Sequence, residues 1–179
     1  NNTGGDNTFI GNHAGYSHQS KGGNVHIGSM AGENAVDGEQ NIFIGESSGS
    51  NTTNGSQNIF MGFQAGYNNS GYESVSVPDD TARGSFNVYI GHEAGHESNG
   101  ANKNVFIGYL AGRTTRNYGF EDYFEGSQNV FIGNESGYSN DDGYSNVFIG
   151  NKAGFNAIGN EGVMIGNEAG YNTTSPVRN

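Results

Sequence analysis

The chain has 179 residues, of which 32 are glycine, 32% are hydrophobic and none is cysteine. Seven Lys plus Arg stand against 18 Asp plus Glu, a formal net charge of -11. With no cationic footprint for phosphate neutralisation, nucleic acid and anionic membrane surfaces are poor partners. Disulfides and thiolate metal sites are excluded, and no apolar run approaches the roughly 18 to 20 residues that span a bilayer. The chain opens on Asn1-Asn2-Thr3 and closes on Val177-Arg178-Asn179, which reads as an excerpt of a longer, exported protein.

Twenty-seven asparagines join the glycines to make up about a third of the residues, a bias that would signal disorder if it lacked a period. It has one. In chain order, an Ile-Gly pair, once Met-Gly, falls at 10–11, 27–28, 44–45, 61–62, 90–91, 107–108, 132–133, 149–150 and 165–166. The spacings are 17, 17, 17, 29, 17, 25, 17 and 16, a period of 17 with additions of 12 and 8 residues and one deletion. Residues 1–179 therefore form a single repeat domain, with insertions near 70–83 and 114–125.

Each copy reads N-V-F-I-G-x-x-A-G-Y before a polar segment. The β-branched and aromatic run between Asn and Gly predicts a short strand. Seventeen residues suit one coil of an all-β parallel solenoid, a β-roll of nine coils, each with two short strands and two corners. Gly recurs after every Ile and again four residues later, from Gly15 to Gly170, marking corners that need positive φ or close backbone approach. Asn precedes Ile by three residues in eight of nine copies, the pattern of a side-chain ladder that satisfies corner backbone groups.

Alternation sends the Val and Ile columns to one face of the strands and the Asn and Phe columns to the other. With the small Ala behind the Gly, the Val/Ile face is expected to form a thin internal core. The aromatic column, Phe9, Phe43, Phe60, Tyr89, Phe106, Phe131 and Phe148, then points outward as an oligomer interface. The converse assignment, Phe inside and Val/Ile outside, also leaves one apolar face larger than a monomer normally exposes. Either way, further copies of the chain around a symmetry axis would cover it.

The copies, such as Asn104-Val105-Phe106-Ile107-Gly108-Tyr109-Leu110-Ala111-Gly112, resemble the head repeat of YadA-type trimeric autotransporter adhesins. The resemblance extends from Asn7 to Tyr171, and related repeats occur in tail fibres of phages and phage-like particles. It implies a left-handed parallel β-roll, a homotrimer, and a location outside the cell, on a cell surface or on a virion or phage-like particle. The 17-residue period is longer than the family's, and the residue before Ile is aromatic where the family often has a small one.

Several other chemistries can be weighed against the repeat. Gly91-His92-Glu93-Ala94-Gly95-His96-Glu97 contains H-E-x-x-H, which holds zinc only when a helix brings both His to one face. Here His92 and Glu93 fill variable corner positions, and a helix would have to run through Gly91 and Gly95, so no metal and no cofactor are expected. Gly4-Gly5-Asp6 resembles the start of a calcium-binding nonapeptide, but the matching position in the other copies is Gly23, Gln40, Gln57, Phe86, Lys103, Gln128, Ser145 or Glu161, too few acids for an array of sites. No column is Thr, as an ice-binding face would require. The insertions carry Tyr72, Asp79 and Asp80, and then Tyr118, Phe120, Glu121, Asp122 and Tyr123. Aromatics mixed with carboxylates on loops leaving a rigid scaffold suit a glycan or a host surface receptor. The functional expectation is a non-catalytic structural and adhesive segment of a trimeric surface adhesin or tail fibre. The alternative is a tailspike-type polysaccharide-processing enzyme, which would use paired carboxylates in a groove.

Overall fold

Each Val-Phe-Ile run stays extended for three residues before the following glycine turns it away. In the computed structural model, which describes residues 4–70, 84–116 and 125–173, these runs form nine strands. They are β1 (Thr8–Ile10), β2 (Val25–Ile27), β3 (Ile42–Ile44), β4 (Ile59–Met61), β5 (Val88–Ile90), β6 (Val105–Ile107), β7 (Val130–Ile132), β8 (Val147–Ile149) and β9 (Val163–Ile165). They lie in chain order in one parallel sheet. The fold is the expected all-β solenoid, with no helix among the described residues.

Register pairs like with like. Phe43 lies opposite Phe60, and the match survives both insertions, with Phe60 opposite Tyr89 and Phe106 opposite Phe131. The strands on either side of each insertion therefore keep the register of the rest of the stack. Nine rungs at about 4.8 Å give a sheet roughly 38 Å long.

Among the described residues the second strand expected in each coil does not form. That half is a succession of turns, in which the Ala31 amide donates to the Gly28 carbonyl at 3.3 Å and Glu33 to Met30 at 3.2 Å. Other amides there bond to the next coil, Gly32 to Ser48 at 2.9 Å and Asn34 to Ser50 at 2.8 Å. Met30 and Gly32 have φ of 56° and 59°, and such left-handed residues curl the chain away from the extended path a strand needs. The Met30 position is non-glycine in every copy, including His13, Glu93 and Leu110, all at positive φ. Each costs about 1 kcal/mol, offset by bonding along the stack.

The core inverts the expected faces. Phe43, Phe60, Tyr89, Phe106, Phe131 and Phe148 are buried inside the coil and Phe9 is half-buried at its first turn, so the column assigned to an oligomer interface fills the interior of one chain. The rings of Phe9, His26, Phe43, Phe60, Tyr89, Phe106, Phe131 and Phe148 form one uninterrupted stack with centroids 4.7–5.0 Å apart. Flat rings touch at about 3.5 Å, so rings spaced by the strands must slip sideways, the offset geometry that aromatic pairs prefer. Val and Ile face outward.

Two glycine columns make room for this core. A Cβ on Gly112, at φ 57°, would come within 2.5 Å of the Phe106 ring. A Cβ on Gly108, at φ 142°, would come within 2.3 Å of the Gly133 carbonyl oxygen on the next coil. The Asn column is buried beside the rings and forms the expected ladder. The Asn104 side-chain oxygen accepts from the Asn129 backbone N–H at 2.8 Å, and its amide donates to the Gly126 carbonyl at 2.8 Å. The same pair of bonds recurs at Asn41, Asn58 and Asn87.

Candidate functional surfaces

With the aromatics inside, the outer sheet face carries two apolar columns. One runs from Val25 through Ile42, Ile59, Val88, Val105, Val130 and Val147 to Val163, and the other from Ile10 through Ile27, Ile44, Met61, Ile90, Ile107, Ile132 and Ile149 to Ile165. None of these side chains is fully buried, and exposure reaches 58% at Ile10 and 66% at Ile165. Three residues of strand span about 10 Å, so over nine rungs the face projects roughly 400 Å², the size of the largest apolar patch on a typical monomer before its flanks are added.

Those flanks are polar except at mid-height. The column entering the strands contains Gln40, Gln57, Lys103 and Gln128, with Phe86 as its single aromatic, 54% exposed. The column leaving the strands is Asn12, Asn134, Asn151 and Asn167 near the ends. In the middle it becomes Phe63, His92 and Tyr109, successive rings with Phe63 stacked on His92 at 5.1 Å and Tyr109 tilted 32° to His92 at 5.3 Å.

This stack settles where the H-E-x-x-H residues lie. Glu93 has φ 51°, and Gly91 and Gly95 have φ 138° and 59°, so the segment is a corner and the two His belong to different ladders. His92 lies between Phe63 and Tyr109, while His96 stacks on Tyr67 at 5.1 Å. Burial lowers the His96 imidazole, and the Arg113 charge acts in the same direction. Glu93 pairs with Arg113 at 3.0 Å instead of facing a metal site. Arg116 pairs with Glu97 and also reaches Asp141 at 3.9 Å. Among the described residues, no group of three or more His, Cys, Asp or Glu is placed to hold a metal ion.

The His96 ladder continues along the solenoid. Arg113 covers the Tyr138 ring at 5.8 Å, and Tyr138, Phe155 and Tyr171 stack at 4.9 and 5.0 Å. Because these rings lie face to face along the axis, they show edges to solvent, which suits packing of the corner more than a platform for sugars.

The ligand-binding candidates Tyr72, Asp79, Asp80, Tyr118, Phe120, Glu121, Asp122 and Tyr123 lie outside the described residues. The flank aromatics were not singled out from sequence, because Phe63 and Tyr109 stand in columns that vary from copy to copy. Their signal is adjacency: three rings in consecutive copies of one otherwise polar column.

Comparisons with protein-family models, with curated proteins and with solved structures return no match.

Proposed function

We propose that the chain is a non-catalytic structural and adhesive segment of a homotrimeric fibre outside the cell, borne on a cell surface or on a phage-like particle. The observation that carries this reading is the Val/Ile face, apolar columns of eight and nine rungs that stay at least partly exposed among the described residues. Packing three such faces around an axis parallel to the strand stack removes them from water and leaves the corners outside. Parallel coils locked by Asn and aromatic ladders make a rigid rod, the mechanical property a spacer or adhesive stalk needs. The resemblance of the copies to trimeric adhesin heads supports the same reading and supplies the number three. In it the interface consists of Val and Ile rather than the aromatic column, and the insertions after coils four and six present the ligand-binding groups to a glycan or surface receptor.

Sedimentation equilibrium at micromolar concentration tests the assembly. The parent chain, 18.8 kDa, is expected at three times that mass, and a monomer would contradict the proposal. Ile44→Asp combined with Ile90→Asp and Ile107→Asp should give a folded monomer. Replacing each insertion with a regular 17-residue corner should abolish glycan or cell binding while leaving the trimer intact.

A further inference from the structure

The two edges of the outer face differ, and the difference specifies how a second copy sits against it. In the fifth coil, Phe86 stands on the entering edge and His92, centre of the Phe63-His92-Tyr109 stack, on the leaving edge. In the sixth coil, Lys103 stands on the entering edge and Tyr109 on the leaving edge, both exposed. Cyclic assembly about an axis parallel to the stack keeps every coil at its own height and brings the entering edge of one protomer to the leaving edge of the next. Inverted two-fold pairing instead brings entering edge to entering edge with coil order reversed.

We propose that a second copy of this chain docks parallel and in register, with Phe86 of one protomer packed against the Phe63-His92-Tyr109 stack of its neighbour. The argument rests on the oligomeric reading above and adds its register and its central contact. Parallel docking sets Lys103 opposite Tyr109, a cation facing an aromatic ring, and places the acids of the entering edge, Asp6 and Glu161, opposite Asn12 and Asn167. Inverted pairing would place Asp6 against Glu161, like charges that repel. The aromatics widen the apolar band at mid-height, where a central anchor ringed by polar groups contributes most to an interface. They also fix the register. Val and Ile columns look alike from rung to rung and would let two faces slide, whereas a lone ring opposite a three-ring stack is centred when the coils are level and loses the stack on a slip of two rungs.

Sedimentation and cross-linking together test this. A benzophenone side chain placed at position 86 keeps an aromatic there, and on irradiation it should join peptides containing His92 or its stack neighbours of another protomer. Phe86→Cys with His92→Cys should form intermolecular disulfides on mild oxidation, and Phe86→Cys alone should form none. Phe86→Ser should weaken assembly by about tenfold, the scale of a desolvated aromatic contact. A disulfide from Phe86→Cys alone would establish inverted pairing and overturn the inference. Cross-links from position 86 to residues away from the stack, in a chain that sediments as an oligomer, would overturn it too. A chain that sediments as a monomer would refute the oligomeric reading itself.

Discussion

The inside and outside of this solenoid are built from the same three-residue strands yet follow different rules. Inward, position two of each strand is aromatic in seven of nine copies, with His26 and Met164 the exceptions, and its ring stacks on the rungs above and below. Outward, positions one and three are β-branched in every copy except for Met61, and none is fully buried. The inner column completes its packing within one chain, whereas the outer columns stay partly exposed and, on the proposed reading, pack against a second copy. Damage to the inner column should therefore unfold the protein, and damage to the outer columns should separate it.

His26 is the sharpest departure inside. It is buried between Phe9 and Phe43, and neither ring nitrogen has a hydrogen-bond partner. Burial, with a smaller contribution from the His18 charge, lowers its pKa to about 3. The folded chain thus binds fewer protons at this site than the unfolded chain, whose imidazole titrates near its ordinary value of 6.5. The stability is complete above pH 6.5 and is lost as pH falls from there to about 3, in all on the order of 5 kcal/mol. Hydrogen exchange across pH 7.5 to 4 should show the coils of β1 and β2 loosening first. His26→Phe should remove that part of the pH dependence, and an unchanged profile would contradict the account.

Smaller effects follow the same division. Gly112→Val forces a β-branched residue to positive φ against the Phe106 ring and should cost about 3 kcal/mol, read as a drop in the urea midpoint. Asn104→Ala leaves the Asn129 amide and the Gly126 carbonyl without their partner and should cost about 2 kcal/mol by the same measurement. Tyr109→Ala, on the outer flank, should change the stability of an isolated chain by less than about 0.5 kcal/mol while weakening assembly, a separation that comparing melting with sedimentation would reveal.

Much of the fold is legible in the residues because a repeat shows its constraints many times over. The period, the parallel sheet, the Asn ladder and the glycine corners all follow from columns that tolerate few residue types. Which face is inner does not follow from alternation, since both faces are apolar. The deciding constraint is steric: Gly112 must lack a Cβ because the Phe106 ring lies against it, and the polar Asn column of the same parity is buried because backbone groups bond both the oxygen and the amide of its side chains. A small residue beside an obligatory glycine suits the lining of a thin aliphatic core, but here it marks space vacated for an aromatic one. The missing second strand follows from left-handed backbone at His13, Met30, Glu93 and their counterparts, positions whose varied residues show no preference for that conformation. The surface candidates were least legible, because the insertions depart from the repeat and carry no column to compare.

The most direct test compares two adjacent residues of β6. Phe106→Asp places a carboxylate in the ring stack, whereas Ile107→Asp places one on the outer face. Circular dichroism of the two purified variants at 25 °C should show the β-rich spectrum lost in Phe106→Asp and retained in Ile107→Asp. A folded Phe106→Asp beside an unfolded Ile107→Asp would contradict the assignment of inside and outside, and the account of the interface built on it.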